Sequence, residues 1–369
     1  MNIDFHHGVT YVVARLAGFL PKEAEIVAYS AQYVDDATNA GEICFDNGMM
    51  YARIASAHRM LDYRNARALA NHLVWLPFHF LPGGAVSDAI LGSSTADASE
   101  SAFAERSMCR ADSQLAQDMV RGAILRRDRP YALHRLGITM HVYADTWAHQ
   151  GFVGFMCKVN EAYDLELSMP LPEHSLLDRI KDLWARARDA LLGLFVGEIF
   201  PVGHGAVLSY PDQPHLRWRY TNGLGERIER NNPKEFGQAA RRMFEAMARF
   251  RRGDPAAAIE LPEELFRRID QWLLKLTDAD PELRHARWLE LIRAGEFGFK
   301  DDVRYVAKGV GSWKHSALGT ANAVDAPGEI FHFEPKFLNS DWKRFHDALQ
   351  VHRLFVLNEL LPAYGLCAA

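Results

Sequence analysis

Residues 134–152, HRLGITMHVYADTWAHQGF, set three histidines and an aspartate in a stretch that is otherwise mostly apolar. At about 100° per residue, His134, His141, Asp145 and His149 fall within roughly a quarter of a helix circumference. His141, Asp145 and His149 follow an i, i+4, i+8 register, so they stack about a turn apart on one face. Burying an unpaired carboxylate costs several kcal/mol, and each unpaired imidazole adds more. A divalent cation removes that cost, because carboxylate oxygens and neutral imidazole nitrogens are its ordinary ligands. The bland alternative is a helix packed among polar neighbours, each histidine hydrogen-bonded. For one such histidine that alternative is the better one; for three groups in strict register a metal site is.

Further donors are spread along the chain. "DFHHG" supplies His6 and His7, "YVDDA" supplies Asp35 and Asp36 at a helix end, and "WLPFHFLPGG" holds His79 in an aromatic loop. "PEHSLLDRI" places His174 and Asp178 at i and i+4, and "PVGHGAVLSYPD" sets His204 between two glycines, followed by Asp212. None of these is specific alone. No GxSxG nucleophile elbow and no phosphate-cradling P-loop occurs in the sequence.

The elements that must position these groups read as mainly α. Pro21 opens a helix with Ala24, Val27, Ala28, Ala31 and Val34 at helical spacing, after a short apolar helix in "VTYVVARLAGF". Asp112 is placed to cap "DSQLAQDMVRGAILRR", and Pro130 to start the histidine-bearing helix that Gly151 ends. Further helices are expected at 173–195, 233–251, 262–276, 281–294 and 340–361. Asn47-Gly48 between apolar alternations predicts a small hairpin. Residues 295–335 hold an irregular or β excursion, and 205–232 a long loop into a second helical half. The expected organisation is a metal-binding helical core over 1–215 and a helical C-terminal extension over 216–369 that can belong to the same compact domain.

Of 369 residues, 49% are hydrophobic and 24% charged, with a net charge of −5, which is not the signature of a nucleic-acid-coating protein. A stable nucleic-acid complex is therefore not expected. Four dispersed cysteines without a CxxC pair argue against a zinc ribbon or a disulfide framework. The polar start "MNIDFHHG" lacks a signal-peptide pattern, and the most apolar stretch, "ALLGLFVGEIFPVG", is too short for a bilayer span. The default expectation is a cytoplasmic chain without a transmembrane segment, signal-less secretion remaining open.

In order along the chain, an early histidine, a helix-end aspartate, a histidine in an aromatic loop, a helical HxxxD and a further histidine resemble the zinc-dependent phospholipase C and single-strand-specific nuclease superfamily. "DFHHGVTYVVARLAGF", "AEIVAYSAQYVDDAT" and "HRLGITMHVYADTWAHQGF" also look like an uncharacterised bacterial family related to it. The resemblance covers roughly residues 1–215. It implies a helical phospholipase C/nuclease-like core with two or three zinc ions, manganese or iron being alternatives. Carried over, the metal ligands would be His6, Asp36 (or Asp35), His79, His141 and Asp145, the last as bridging carboxylate. His149 would open a second set completed by His174 and Asp178, with His204 and Asp212 competing for that place. The superfamily also uses an N-terminal amine, which Met1 lies at the right distance to offer. The implied activity is hydrolysis of phosphate esters, phospholipid or nucleotide, by a metal-bound hydroxide, with Asp145 and His141 at the catalytic centre. Trp75, Phe78, Phe80, Trp147 and Phe152 would give a lipid an apolar wall, although plain core is the commoner role of such residues. Two rivals remain: an HD-type phosphohydrolase built on His346-Asp347, which lacks the later aspartate it needs, and a non-catalytic metal-binding or structural protein.

Overall fold

Prolines and oxygen-bearing side chains set most helix starts in this chain. The computed structural model describes residues 1–57, 68–84, 103–167, 203–324, 326 and 328–367. A π-helical turn, Asp4–Val9, runs directly into α1 (Thr10–Leu16), and Pro21 opens α2 (Pro21–Asp36). There follow α3 (Ala68–Phe78), α4 (Gln114–Leu125) and α5 (Ala132–Ala148), the helix of the HxxxD pair. The second half carries α6 (Asn232–Arg252), α7 (Glu263–Lys275), α8 (Pro281–Ala294), α9 (Trp313–Leu318) and α10 (Asp341–Phe355). The helix expected at 173–195 lies outside the described residues.

One expected cap is corrected. The Ser113 hydroxyl, not Asp112, accepts from the first turn of α4, at 3.2 Å from Ala116 N. Asp112 adopts φ +51°, accepts from the Tyr143 hydroxyl and pairs with Arg242 at 3.0 Å. A residue turned into the left-handed region aims its side chain elsewhere, and long-range partners take it.

Two small sheets flank the helices. β1 (Gly41–Phe45) and β2 (Met50–Arg53) form the hairpin expected at Asn47-Gly48, with Gly48 at φ +81°, and a two-residue strand, Ile330–Phe331, adds parallel to β1. The second sheet, antiparallel, joins Ala162–Leu167, Arg217–Asn222 and Arg227–Asn231 in that order. The segment expected to be a loop at 205–232 thus holds two strands. Leu216, Trp218 and Tyr220 alternate inward there and are buried, a period-two signal that was present in the sequence.

α5 is the hub. Every residue in it except Leu133 is buried, and it packs against α2, α4, α6 and α10. Its approach to α2 is so close that a Cβ on Gly137 would lie 2.3 Å from the Val27 carbonyl oxygen. That contact sets the carboxylate end of α2 beside His141. One apolar cluster runs from Phe5, Val12 and Met140 to Phe236, Ile269, Trp288 and Leu361, so residues beyond 216 share a core with the first half. Among the described residues no helix is long and apolar enough to cross a membrane.

Candidate metal centre

The register of α5 brings His141 and Asp145 to one buried face, and His149 follows as the residue that ends the helix, its N–H bonded to the Asp145 carbonyl at 2.8 Å. Four imidazoles are then fixed through one nitrogen each. His141 Nδ1 donates to Ala31 O at 2.8 Å, His79 Nε2 to Ser56 O at 2.9 Å, His149 Nδ1 to His79 O at 2.8 Å and His204 Nδ1 to Leu208 O at 2.8 Å. A carbonyl accepts only from N–H, so each neutral ring turns a lone pair to its other side.

Those lone pairs converge. His141 Nε2 and His79 Nδ1 lie 3.2 Å apart, and neither has a proton left for the other. Asp145 Oδ2 stands 3.2 Å from the first and 3.4 Å from the second, and Asp35 Oδ1 stands 3.8 Å from both. Ligand atoms bound tetrahedrally to zinc at 2.0–2.1 Å are about 3.3 Å apart. Asp35, His79 and His141 therefore present one converging set of ligand atoms, and Asp145 Oδ2 lies against the same two imidazoles. Asp145 Oδ2 accepts no hydrogen bond among the described residues.

A second set lies beyond the helix end. His149 Nε2 is 3.2 Å from Asp212 Oδ1, and His204 Nε2 is 3.4 Å from Asp212 Oδ2. Gly203 makes this possible: at φ +60° it lies where a Cβ would fall 2.3 Å from the Phe80 ring. Between the sets, His6 Nε2 is 3.1 Å from Asp145 Oδ1, yet neither His6 ring nitrogen is hydrogen-bonded among the described residues. The His6 ring stacks on His141 at 3.8 Å, and its π-helical turn is a feature that recurs at functional sites. The Met1 amino group, fully buried, lies 2.6 Å from Asp145 Oδ1 and 3.1 Å from Asp212 Oδ1. Three groups of His and Asp side chains can thus hold metal ions: His6, His141 and Asp145; Asp35, His79 and His141; His149, His204 and Asp212.

The charges of the histidines, Asp145 and Asp212 agree with that capacity, while Asp35 and the amino group hold protons that an ion would displace. Burial pushes the His141 imidazole down to about 4, that of His6 well below its usual value and that of His204 down. Burial works against ionised Asp145 and Asp212, but His149, the amino group, His141 and His6 hold Asp145 well below the carboxylate range, and the amino group and His204 do so for Asp212. Asp35 moves the other way. Enclosure by the protein, although 34% of its side chain is open to solvent, and the carboxylates of Asp145, Asp36 and Asp212 push it well up. Burial disfavours the charged amine, but Asp145, Asp212 and Asp35 outweigh it and raise the amine to about 11. Neutral imidazoles beside ionised carboxylates are the protonation state a divalent cation takes up.

Of the residues expected from sequence, His6, His79, His141, Asp145, His149 and His204 come together. Asp36 does not. Its carboxylate accepts from the Tyr305 hydroxyl at 2.5 Å and from Gln32 at 3.2 Å, and its neighbour Asp35 faces the histidines instead. Adjacent residues on a helix point about 100° apart, so only one of the two can. His174 and Asp178 lie outside the described residues; Asp212 stands with His149 and His204. His134, on the same stripe, pairs with Asp341 at 3.1 Å. Asp347 of the HD pair pairs with Lys343 and accepts from Tyr51, and no metal-holding group among the described residues includes it or His346. Phe78, Phe80, Trp147 and Phe152 are buried core; only Trp75 is half-buried, 5.1 Å from the His79 ring.

A family model matches residues 1–360, nearly the whole chain. The chain belongs to DUF6765, a family of unknown function. No curated protein and no solved structure matches it. The DUF6765 match runs through both the donor sets of the first half and the helices from α6 to α10, so both belong to the family's unit.

Proposed function

We propose that this DUF6765 chain is a zinc-dependent phosphoesterase of the phospholipase C or nuclease kind, manganese or iron being the alternative ions. The observation that carries the reading is the facing pair of lone pairs, His141 Nε2 and His79 Nδ1 at 3.2 Å, closed by Asp145 and Asp35. Facing acceptors repel unless a cation or proton lies between them, and burial pushes the His141 imidazole down, away from protonation. The order of donors along the chain, shared with that superfamily, supports the same conclusion.

Closely set divalent ions supply a hydroxide from water near neutral pH and neutralise charge on phosphoryl oxygens. The chain's own groups do the rest. Ala31, Ser56, His79 and Leu208 carbonyls fix four imidazole tautomers, and such partners orient ligands and raise their basicity. Asp145 faces His6 with one oxygen and His141 with the other. Asp35, at 34% exposure, and His204 and Asp212, at 20% and 13%, form the open edge where a phosphate ester meets the site. Lipid and nucleotide esters share that phosphodiester chemistry.

The test is metal content and hydrolysis of a chromogenic phosphodiester. Two to three equivalents of zinc, with activity removed by a chelator and restored by zinc, is the expected result. Less than one equivalent of any metal, or hydrolysis indifferent to chelation, overturns the reading. Full metal content without hydrolysis of any phosphate ester favours the non-catalytic alternative.

A further inference from the structure

The last residue but one of α2, Asp35, is the most exposed member of its donor set and stands farthest from its partners, at 3.8 Å from both His79 and His141. It lies in a helix's final turn, where main-chain hydrogen bonds no longer continue forward. Ser56 holds part of that end, donating through Oγ to Val34 O at 2.6 Å and through its N–H to Ala37 O at 3.0 Å, and the C-terminal third holds another part. Tyr305 donates its hydroxyl to Asp36 Oδ2 at 2.5 Å. Gln32 Nε2 donates to the same oxygen at 3.2 Å and reaches Asp35 Oδ2 at 3.5 Å. The same segment grips α2 and the turn that follows it at further points. The Tyr29 hydroxyl donates to Val306 O at 2.5 Å and accepts from Trp313 N at 3.2 Å, Trp313 stacks on Tyr29 at 3.8 Å, and Lys308 Nζ donates to Thr38 Oγ1 at 3.2 Å. The Tyr305 ring also lies 5.2 Å from that of His7, the neighbour of His6. Tyr305 thus touches the residue next to each of two donors.

We propose that Tyr305 is a positioning residue for the metal centre: through Asp36 and Gln32 it fixes the Asp35 carboxylate in the set formed with His79 and His141. The proposal rests on the metal reading of that set and assigns the segment 301–313 a task in it. Without the hydroxyl, Asp36 takes more of Gln32, and Asp35 loses the group that aims its second oxygen. Partners of this kind change metal affinity by about 10- to 100-fold when removed.

The experiment compares Tyr305→Phe with Tyr11→Phe. Tyr11 donates to Asp301 Oδ2 at 2.9 Å, so its variant removes a similar hydroxyl–carboxylate bond from the start of the same segment, away from Asp35. Zinc affinity is measured by chelator competition, and the visible spectrum of the cobalt(II)-loaded protein reports coordination geometry. Tyr305→Phe is expected to weaken one ion by about tenfold or more and to change the cobalt bands, with Tyr11→Phe matching wild type in both. Gln32→Met, cutting the same link from the other side, is expected to follow Tyr305→Phe and decides the matter if that variant does not fold. Wild-type affinity and spectrum in Tyr305→Phe, or an equal loss in Tyr11→Phe, overturns the proposal alone. A wild-type protein that binds neither zinc nor cobalt overturns the metal reading and the proposal together.

Discussion

Asp145→Asn is the sharpest single perturbation of the centre. The carboxylate is central: Oδ1 is 2.6 Å from the amino group and 3.1 Å from His6, while Oδ2 is 3.2, 3.4 and 3.6 Å from His141, His79 and His149. Asparagine keeps the shape, removes the charge and replaces one oxygen by an NH2 that cannot ligate. Because one oxygen faces His6 and the other His141 and His79, the amide nitrogen must take one of those two places. At an effective dielectric constant of about 20, a unit charge about 3 Å from a divalent ion is worth about 11 kcal/mol. Dehydration of the ion takes back most of that; with about a third surviving, the loss is about 4 kcal/mol, or about a thousandfold in Kd. The assay is zinc stoichiometry by elemental analysis and affinity by competition with a chromogenic chelator. Asp46→Asn, an exposed carboxylate paired with His332, serves as control. The expected variant retains the ion of His149, His204 and Asp212 and loses at least one other. Wild-type stoichiometry and affinity in folded Asp145→Asn would refute the reasoning.

Three further outcomes are expected. His204→Ala loses one equivalent of metal and His174→Ala none; the reverse result moves the second donor set to His174 and Asp178. Gly137→Ala, whose methyl would meet the Val27 carbonyl at 2.3 Å, forces α2 and α5 apart, costs about 1–3 kcal/mol by denaturant titration and weakens metal binding by spoiling the His141–Ala31 bond; unchanged stability would contradict the close approach. Burial pushes His285 down to about 4 and His352 to about 3, so between about pH 6.5 and 4 the unfolded chain takes up protons that the folded chain refuses. Stability of the metal-free protein therefore falls with acidification over that window, each histidine adding about 1.4 kcal/mol per pH unit, and His285→Gln flattens the curve by up to that amount; an unaltered slope counts against it.

What the sequence determined by itself was local. The HxxxD register of α5, the Asn47-Gly48 hairpin and the helices opened by Pro21 and Pro281 follow from backbone periodicity and turn chemistry within a few residues, and they are where the sequence places them. By contrast, α5 starts at Ala132 rather than Pro130 and is capped by His149 rather than ended by Gly151. The strands around Trp218 were legible in the same way but were outweighed by the prolines, glycines and asparagines nearby. Tertiary structure decided the remainder. Asp35 and Asp36 are indistinguishable as letters; the packing of α2 on α5 at Gly137 turns one toward the histidines, and Tyr305, 269 residues from Asp36, holds the other. Likewise Asp212 meets His149 across 63 residues because a short turn and a positive-φ glycine carry His204 and Asp212 over the end of α5. A bound cation constrains side-chain atoms to within a few ångströms of a point, and no spacing rule in a linear chain encodes such a meeting between elements that pack only after folding.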